Sequence, residues 1–120
     1  MKTGIELIAE ERQRQIEKEG WSAEHDEQHT KGELALVAAL YATPVQLYKK
    51  QSLSTEFGEV SFIDPWPWFD RVENTRYGDF STYEVKAWDK RKKHNKLKKL
   101  IIAGALIAAE IDRIQRKQAF

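Results

Sequence analysis

The chain has 120 residues, 41% of them hydrophobic and 32% charged, with a net charge of +1 and no cysteine. This length suits one domain, residues 1–120, with a modest core, and the balance speaks against a disordered or membrane-embedded chain. Without cysteine there is no disulfide framework, thiolate zinc site or cysteine nucleophile.

The N-terminus, Met1-Lys2-Thr3-Gly4, runs directly into charged sequence without the apolar stretch of a secretory signal. The longest apolar run, 100–109, is about half of the ~20 residues a membrane span requires. A cytoplasmic protein without a membrane partner is expected.

A first helix is expected over about 5–19, where Ile5, Ile8, Arg12, Gln15 and Glu19 share one face of a mostly charged segment. Gly20 fits the left-handed residue past its end, with Trp21 as the hydrophobic contact of that cap. Thr30-Lys31-Gly32-Glu33 has the form of a capping box and predicts a second helix over about 31–42. Leu34, Val37, Leu40 and Tyr41, with alanines between them, make that helix apolar nearly all round, as for a buried element. Thr43-Pro44 ends it.

Over about 45–86 the pattern changes to Gly, Pro, Ser and Asp punctuation with brief alternations such as Val60-Ser61-Phe62. This insert is expected to be irregular, with room for a small β-hairpin, and its many aromatics argue against a flexible linker. A third and longest helix is expected over about 88–117, with Leu97, Leu100, Ile101, Gly104, Ile107, Ala108, Ile111 and Ile114 turned to the core. The expected fold is therefore mainly α, three principal helices in a bundle with an aromatic-rich insert. Gly104, Ala105, Ala108 and Ala109 leave room for another helix, in the same chain or in a second copy of a homo-oligomer.

Three groups of residues could carry chemistry. His25, Asp26, His29 and Glu33 have the donor types of a metal site but match no strong zinc spacing. The plainer reading has them lining the turn before the second helix and bonding to the first. Both imidazoles remain candidate acid–base groups. Glu6, Glu10, Glu11, Glu110 and Asp112 could meet if the first and last helices pack side by side, although surface solvation accounts for most of them. Finally, residues 86–99 hold eight Lys or Arg, including Arg91 and Lys93, at a helix start where cations call for a compensating anion. Candidate anions are ligand phosphate, nucleic acid or the acidic first helix. Just before this run, Trp66, Trp68 and Tyr77 offer flat stacking surfaces, and Arg71 and Arg76 offer guanidinium groups, a combination that stacks a base and clamps phosphate. Nucleic acid itself is weakly supported by a near-neutral chain.

The blocks Glu11-Arg12-Gln13-Arg14-Gln15, Glu19-Gly20-Trp21, Glu24-His25-Asp26, His29, Gly32-Glu33-Leu34-Ala35, Trp66-Pro67-Trp68 and Gly104-Ala105-Leu106-Ile107-Ala108-Ala109-Glu110-Ile111 resemble a family of small bacteriophage proteins. The long insert at about 45–85 departs from the compact versions of that family. The first and last helices also look like those of phage proteins related to the MazG-type all-α nucleotide pyrophosphohydrolases. Glu-x-x-Glu and Glu-x-x-Asp pairs on consecutive helices, which hold magnesium in that superfamily, are missing from this sequence. The resemblance thus implies a nucleotide-binding scaffold without catalytic residues, resident metal or cofactor. It is similar in kind to small oligomeric phage proteins that sequester nucleotide signals of the Thoeris and CBASS immune systems.

The expected function is sequestration of a nucleotide-derived small molecule by Trp66, Trp68, Arg71, Arg76, Tyr77, Arg91 and Lys93. Arg12, Trp21, His25 and His29 are secondary candidates because the resemblance concentrates around them. Two alternatives stand beside this. A MazG-like hydrolase would need magnesium and convergence of Glu11, Glu33 and Glu110. An inhibitor acting by contact with a host enzyme would need an exposed apolar patch.

Overall fold

A computed structural model describes residues 1–52, 58–74 and 81–118, and all structural statements concern these. Thr3 opens helix α1 (Gly4–Lys18), its hydroxyl accepting from the Glu6 amide while Glu6 reaches back to the cap. This is a true capping box, formed by Thr3 and Glu6 of the segment Thr3-Gly4-Ile5-Glu6. Helix α1 stops as expected. Gly20 has φ +71° and the Trp21 amide donates back to the Gln15 carbonyl at 3.0 Å.

One turn of helix, α2 (Ala23–Asp26), follows under a Ser22 cap. Helix α3 (Glu33–Ala42) begins after Gly32, which sits at φ +80° without a side-chain cap. The expected capping box at Thr30 does not form, because the Glu33 carboxylate is taken by the Lys31 amide at 2.6 Å and by His29 Nδ1 at 3.2 Å.

The insert is more ordered than the sequence suggests. Strands β1 (Lys49–Ser52) and β2 (Val60–Ile63) pair antiparallel, Lys49 opposite Ile63 and Ser52 opposite Val60. Strands β3 (Phe69–Asn74) and β4 (Ser81–Lys86) form a second antiparallel pair, Phe69 opposite Lys86. Between the hairpins, Trp66-Pro67-Trp68 enters the core. The Trp66 indole donates to the Ala87 carbonyl at 3.0 Å, and the Ala87 amide donates to the Trp68 carbonyl at 3.0 Å.

Helix α4 (Lys96–Gln118) starts eight residues later than expected. Trp88 lies at φ +59°, a conformation no helix continues through, and the helix is nucleated only where Asn95 Oδ1 accepts from the Lys98 amide at 2.9 Å. It packs against α1 and α3.

The three-helix bundle is therefore corrected to a mixed α/β arrangement. Four helices and two small antiparallel sheets make up the described residues, because β-branched and aromatic residues in the insert find partner strands that local sequence could not reveal. A second correction concerns α4. Its buried face is Ile102, Ala103, Ala105, Leu106 and Ala109, joined with Leu34, Val37, Leu40 and Tyr41 of α3 and with Trp21, Trp66 and Trp68. Leu97, Leu100, Ile107, Ile111 and Ile114, expected in the core, face outward instead. The helix has two apolar faces, and small alanines allow the close approach of α1 and α3 on the other one. No helix among the described residues is long and apolar enough to cross a membrane.

Candidate functional site

Helix α1 buries no apolar side chain fully. Its buried residues are Glu11 and Gln15, one turn apart. Burial alone would raise the Glu11 carboxyl, but hydrogen bonds and charge from Arg14 and Lys98 prevail and hold it at about 2. The ionised carboxylate only accepts, so the Gln15 amide turns its nitrogen to Glu11 Oε2 at 3.1 Å. Gln15 Oε1 is consequently a buried acceptor with no partner.

Glu11 and Gln15 line a cleft of about 280 Å³. Trp21, Tyr41, Trp88 and Ile102 supply its apolar and aromatic surface, and Arg14, Lys90, Lys93, His94 and Lys98 its cations. Four permanent cations here face two carboxylates, Glu11 and Glu19. Arg14 bonds both, Lys98 bonds Glu11 at 2.9 Å, and Lys90 approaches Glu19 at 3.7 Å. Lys93 has no ion pair among the described residues. The crowding registers on His94, lowered from its ordinary value first by burial and then by the charges of Lys98, Lys90 and Lys93. Tyr41 joins this wall to the chain before α4, its hydroxyl accepting from the Lys90 amide at 3.1 Å.

Behind the wall formed by Trp21 and Trp88 lies a second polar group. Asp26, fully buried, accepts from Arg12 at 3.0 Å and meets His25 Nδ1 at 3.3 Å, while His29 Nδ1 meets Glu33 at 3.2 Å. Each imidazole thus turns its Nδ1 to a carboxylate, which accepts from it, and its Nε2 is left without a partner. His25 stacks on Trp21 at 5.8 Å and lies edge-on to Trp88, and His29 is 4.9 Å from His25 and 5.0 Å from Trp68. Among the described residues, the buried side-chain atoms without a partner are Arg12 Nε, His25 Nε2, His29 Nε2 and Trp68 Nε1 in this corner and Gln15 Oε1 at the adjoining cleft. Buried polar atoms are nearly always satisfied, so such a concentration marks a place where a further polar species fits.

The residues singled out from sequence fall into separate places. Trp21 and Lys93 line the cleft, while Arg12, His25, His29 and Trp68 belong to the polar corner behind it. Trp66 is core, covered by the Arg91 guanidinium at 4.6 Å. Arg91 lies in a different cleft, of about 440 Å³, bonded to both Asp64 and Asp89. Arg71 is exposed on β3, opposite Glu84. Arg76 and Tyr77 lie outside the described residues. The structure therefore does not bring Trp66, Arg71 and Arg91 together with Lys93. Gln15, Tyr41, Trp88 and His94 were not foreseen as site residues, whereas Glu11 was expected only among the carboxylates and Lys90 and Lys98 only as part of the basic run. The available signal was Gln15 on the inward face of α1, where a helix ordinarily carries an apolar residue.

Glu11, Glu33 and Glu110 are held apart, by Arg14 and Lys98, by His29, and by Arg113 respectively. Among the described residues, no group of three or more His, Asp or Glu is placed to share a metal ion. Comparison with family models, curated proteins and solved structures gives no match.

Proposed function

We propose that this protein binds and holds a nucleotide-type anion in the cleft between α1, Tyr41 of α3 and the turn before α4. The observation that carries the reading is the combination of excess cations with a buried acceptor that has no partner. A nucleotide offers complementary chemistry at both ends. Its phosphates meet Lys90, Lys93 and His94, its base lies against Trp88 and Trp21, and a base N–H donates to Gln15 Oε1. Glu11, locked by Arg14 and Lys98, does no chemistry in this scheme and serves to orient Gln15.

The cleft is at the small end of ligand pockets, which favours one nucleotide unit held by charge and stacking. In the wider reading, the chain is a phage-type accessory protein that takes up a nucleotide-derived immune signal in the cytoplasm of a bacterial host. The sequence resemblance supports that setting, and the cleft's chemistry supports the ligand class. A magnesium-dependent hydrolase finds less support, since the three carboxylates it calls on are engaged in separate ion pairs.

The test is to incubate the protein with nucleoside triphosphates, cyclic nucleotides and ADP-ribose-type molecules and to measure free ligand by chromatography before and after heat denaturation. Depletion followed by release of intact ligand is expected, and the double substitution Lys90→Glu with Lys93→Glu is expected to abolish it. Release of cleaved products would replace binding by hydrolysis. No depletion across the panel would remove the proposal.

A further inference from the structure

Helix α4 carries a second apolar stripe that the chain itself does not cover. Leu97, Leu100, Ile107, Ile111 and Ile114 fall on a series of three- and four-residue steps whose one small position, Gly104, is covered by Ile8 of α1, and each of the five large residues is between 41 and 62% exposed. This is the spacing of a coiled-coil seam, sustained over most of the 23-residue helix. Helix α1 extends the patch. Ile8 covers Gly104 and Glu11 meets Lys98, so the two helices run antiparallel, and Ile5, one turn before Ile8, is itself 82% exposed.

We infer that this face is the contact surface of a homodimer in which two copies of α4 pack antiparallel. Two observations favour a second copy of the chain over another partner. The steps 97, 100, 104, 107, 111 and 114 read the same in both directions about the midpoint between Gly104 and Ile107. A two-fold axis there sets Leu97 of each copy against Ile114 of the other and Leu100 against Ile111, so one stripe closes on itself. The area points the same way. Five Leu and Ile side chains on one helix face, each between 41 and 62% exposed, leave more apolar surface open than scattered surface hydrophobics do.

Charge selects the direction. A parallel pair would place the two lysine-rich helix starts, with Lys96, Lys98 and Lys99, side by side and align both positive helix ends. The antiparallel pair sets each positive end beside the other copy's negative C-terminal end and separates the lysine runs. The nucleotide cleft lies on the other side of Lys98, toward Glu11, and each copy keeps its own.

Sedimentation of the intact chain over a range of concentrations, together with cysteine cross-linking, tests this. Twice the monomer mass is expected, and Ile107→Asp with Ile111→Asp is expected to give a monomer with unchanged far-UV circular dichroism, since both side chains already face water in one copy. The chain has no cysteine, so cross-links report only introduced ones. Leu97→Cys combined with Ile114→Cys is expected to yield a covalent dimer under mild oxidation, and Leu97→Cys alone is not. A wild-type monomer at every concentration, or a dimer that survives the double aspartate substitution, overturns the inference. Cross-linking through Leu97→Cys alone overturns the antiparallel arrangement.

Discussion

Two regions of the molecule use the same ingredients, arginine, carboxylate and tryptophan, and reach opposite states. In the insert, Arg91 stacks on Trp66 and bonds Asp64 and Asp89, and Lys86 adds a further bond to Asp64 at 2.6 Å. Burial would raise Asp64, but hydrogen bonds from Arg91 and Lys86 prevail and hold it at about 2. Around α2, Arg12 bonds buried Asp26 beside Trp21, but its own Nε, both histidine Nε2 atoms, the Trp68 indole nitrogen and Gln15 Oε1 are left without partners. The first arrangement ties a hairpin to the body of the protein. The second keeps unused hydrogen-bonding capacity next to a cationic cleft, which is the condition for binding something else.

The largest difference between the regions should appear in stability. Asp26→Ala strands a buried guanidinium, and a loss of about 3–5 kcal/mol is expected. Asp64→Asn leaves Arg91 its second carboxylate, and about 1 kcal/mol is expected. Urea denaturation of both variants measures this, and a reversed order would end the distinction. Ligand binding should separate the regions the other way. Lys93→Glu is expected to weaken binding at least tenfold, about 1.4 kcal/mol, whereas Arg71→Glu on the outer face of β3 leaves it unchanged; titration calorimetry compares them.

Acidity sharpens the comparison further. His94 is lowered first by burial and then by the nearby lysine charges, and bound phosphate would offset those charges, raising its proton affinity in the complex, so binding takes up a proton. Affinity should therefore increase as pH falls through the His94 titration range, and His94→Gln should flatten that slope. Glu11 acts oppositely on folding. Its pKa is lowered from 4.5 to about 2, so its contribution to stability is full above 4.5 and is lost as pH falls toward about 2. Acid unfolding followed by circular dichroism should show a smaller loss over that window in Glu11→Gln.

The smallest effect is expected at Gly104, where an added Cβ would lie 2.5 Å from Ile8 Cδ1. Overpacking of ~1–3 kcal/mol is offset by ~1 kcal/mol of helix propensity, so Gly104→Ala should cost about 0–2 kcal/mol. Adding Ile8→Val should recover part of it in thermal melts.

Much of the backbone was legible where one residue decides it. Gly20 and Trp21 mark the end of α1 because few other residues tolerate its positive φ, and α3 announces itself by being apolar on all sides. Periodicity identified α4 as a helix but not its buried face. Two stripes share the three- and four-residue steps, and the packed one is rich in alanine, so size misleads. The capping box at Thr30 was a sound local signal overridden by equally local ones, the Lys31 amide and His29 taking the Glu33 carboxylate. Strand pairing in the insert joins consecutive strands as hairpins, whose register the brief alternations in sequence did not specify. Of the site, Arg12, Trp21, His25 and His29 drew attention from their blocks of sequence. The cleft beside them escaped notice because it assembles Gln15, Tyr41, Trp88 and Lys98 from three helices and a turn. Exposed Trp and Arg in a loop are a strong pattern for stacking and phosphate binding, yet Trp66 and Arg91 satisfy each other and the core.

The most direct test of the central claim is a nitrogen–proton NMR spectrum of the intact protein, titrated with the nucleotide that the depletion panel selects. Saturable shifts of the Trp21 and Trp88 indole signals and of the Gln15 side-chain amide are expected, with the Trp66 indole, bonded to Ala87, unmoved. Shifts confined to Trp66 and the β3–β4 hairpin, or none at all at saturating ligand, would contradict it.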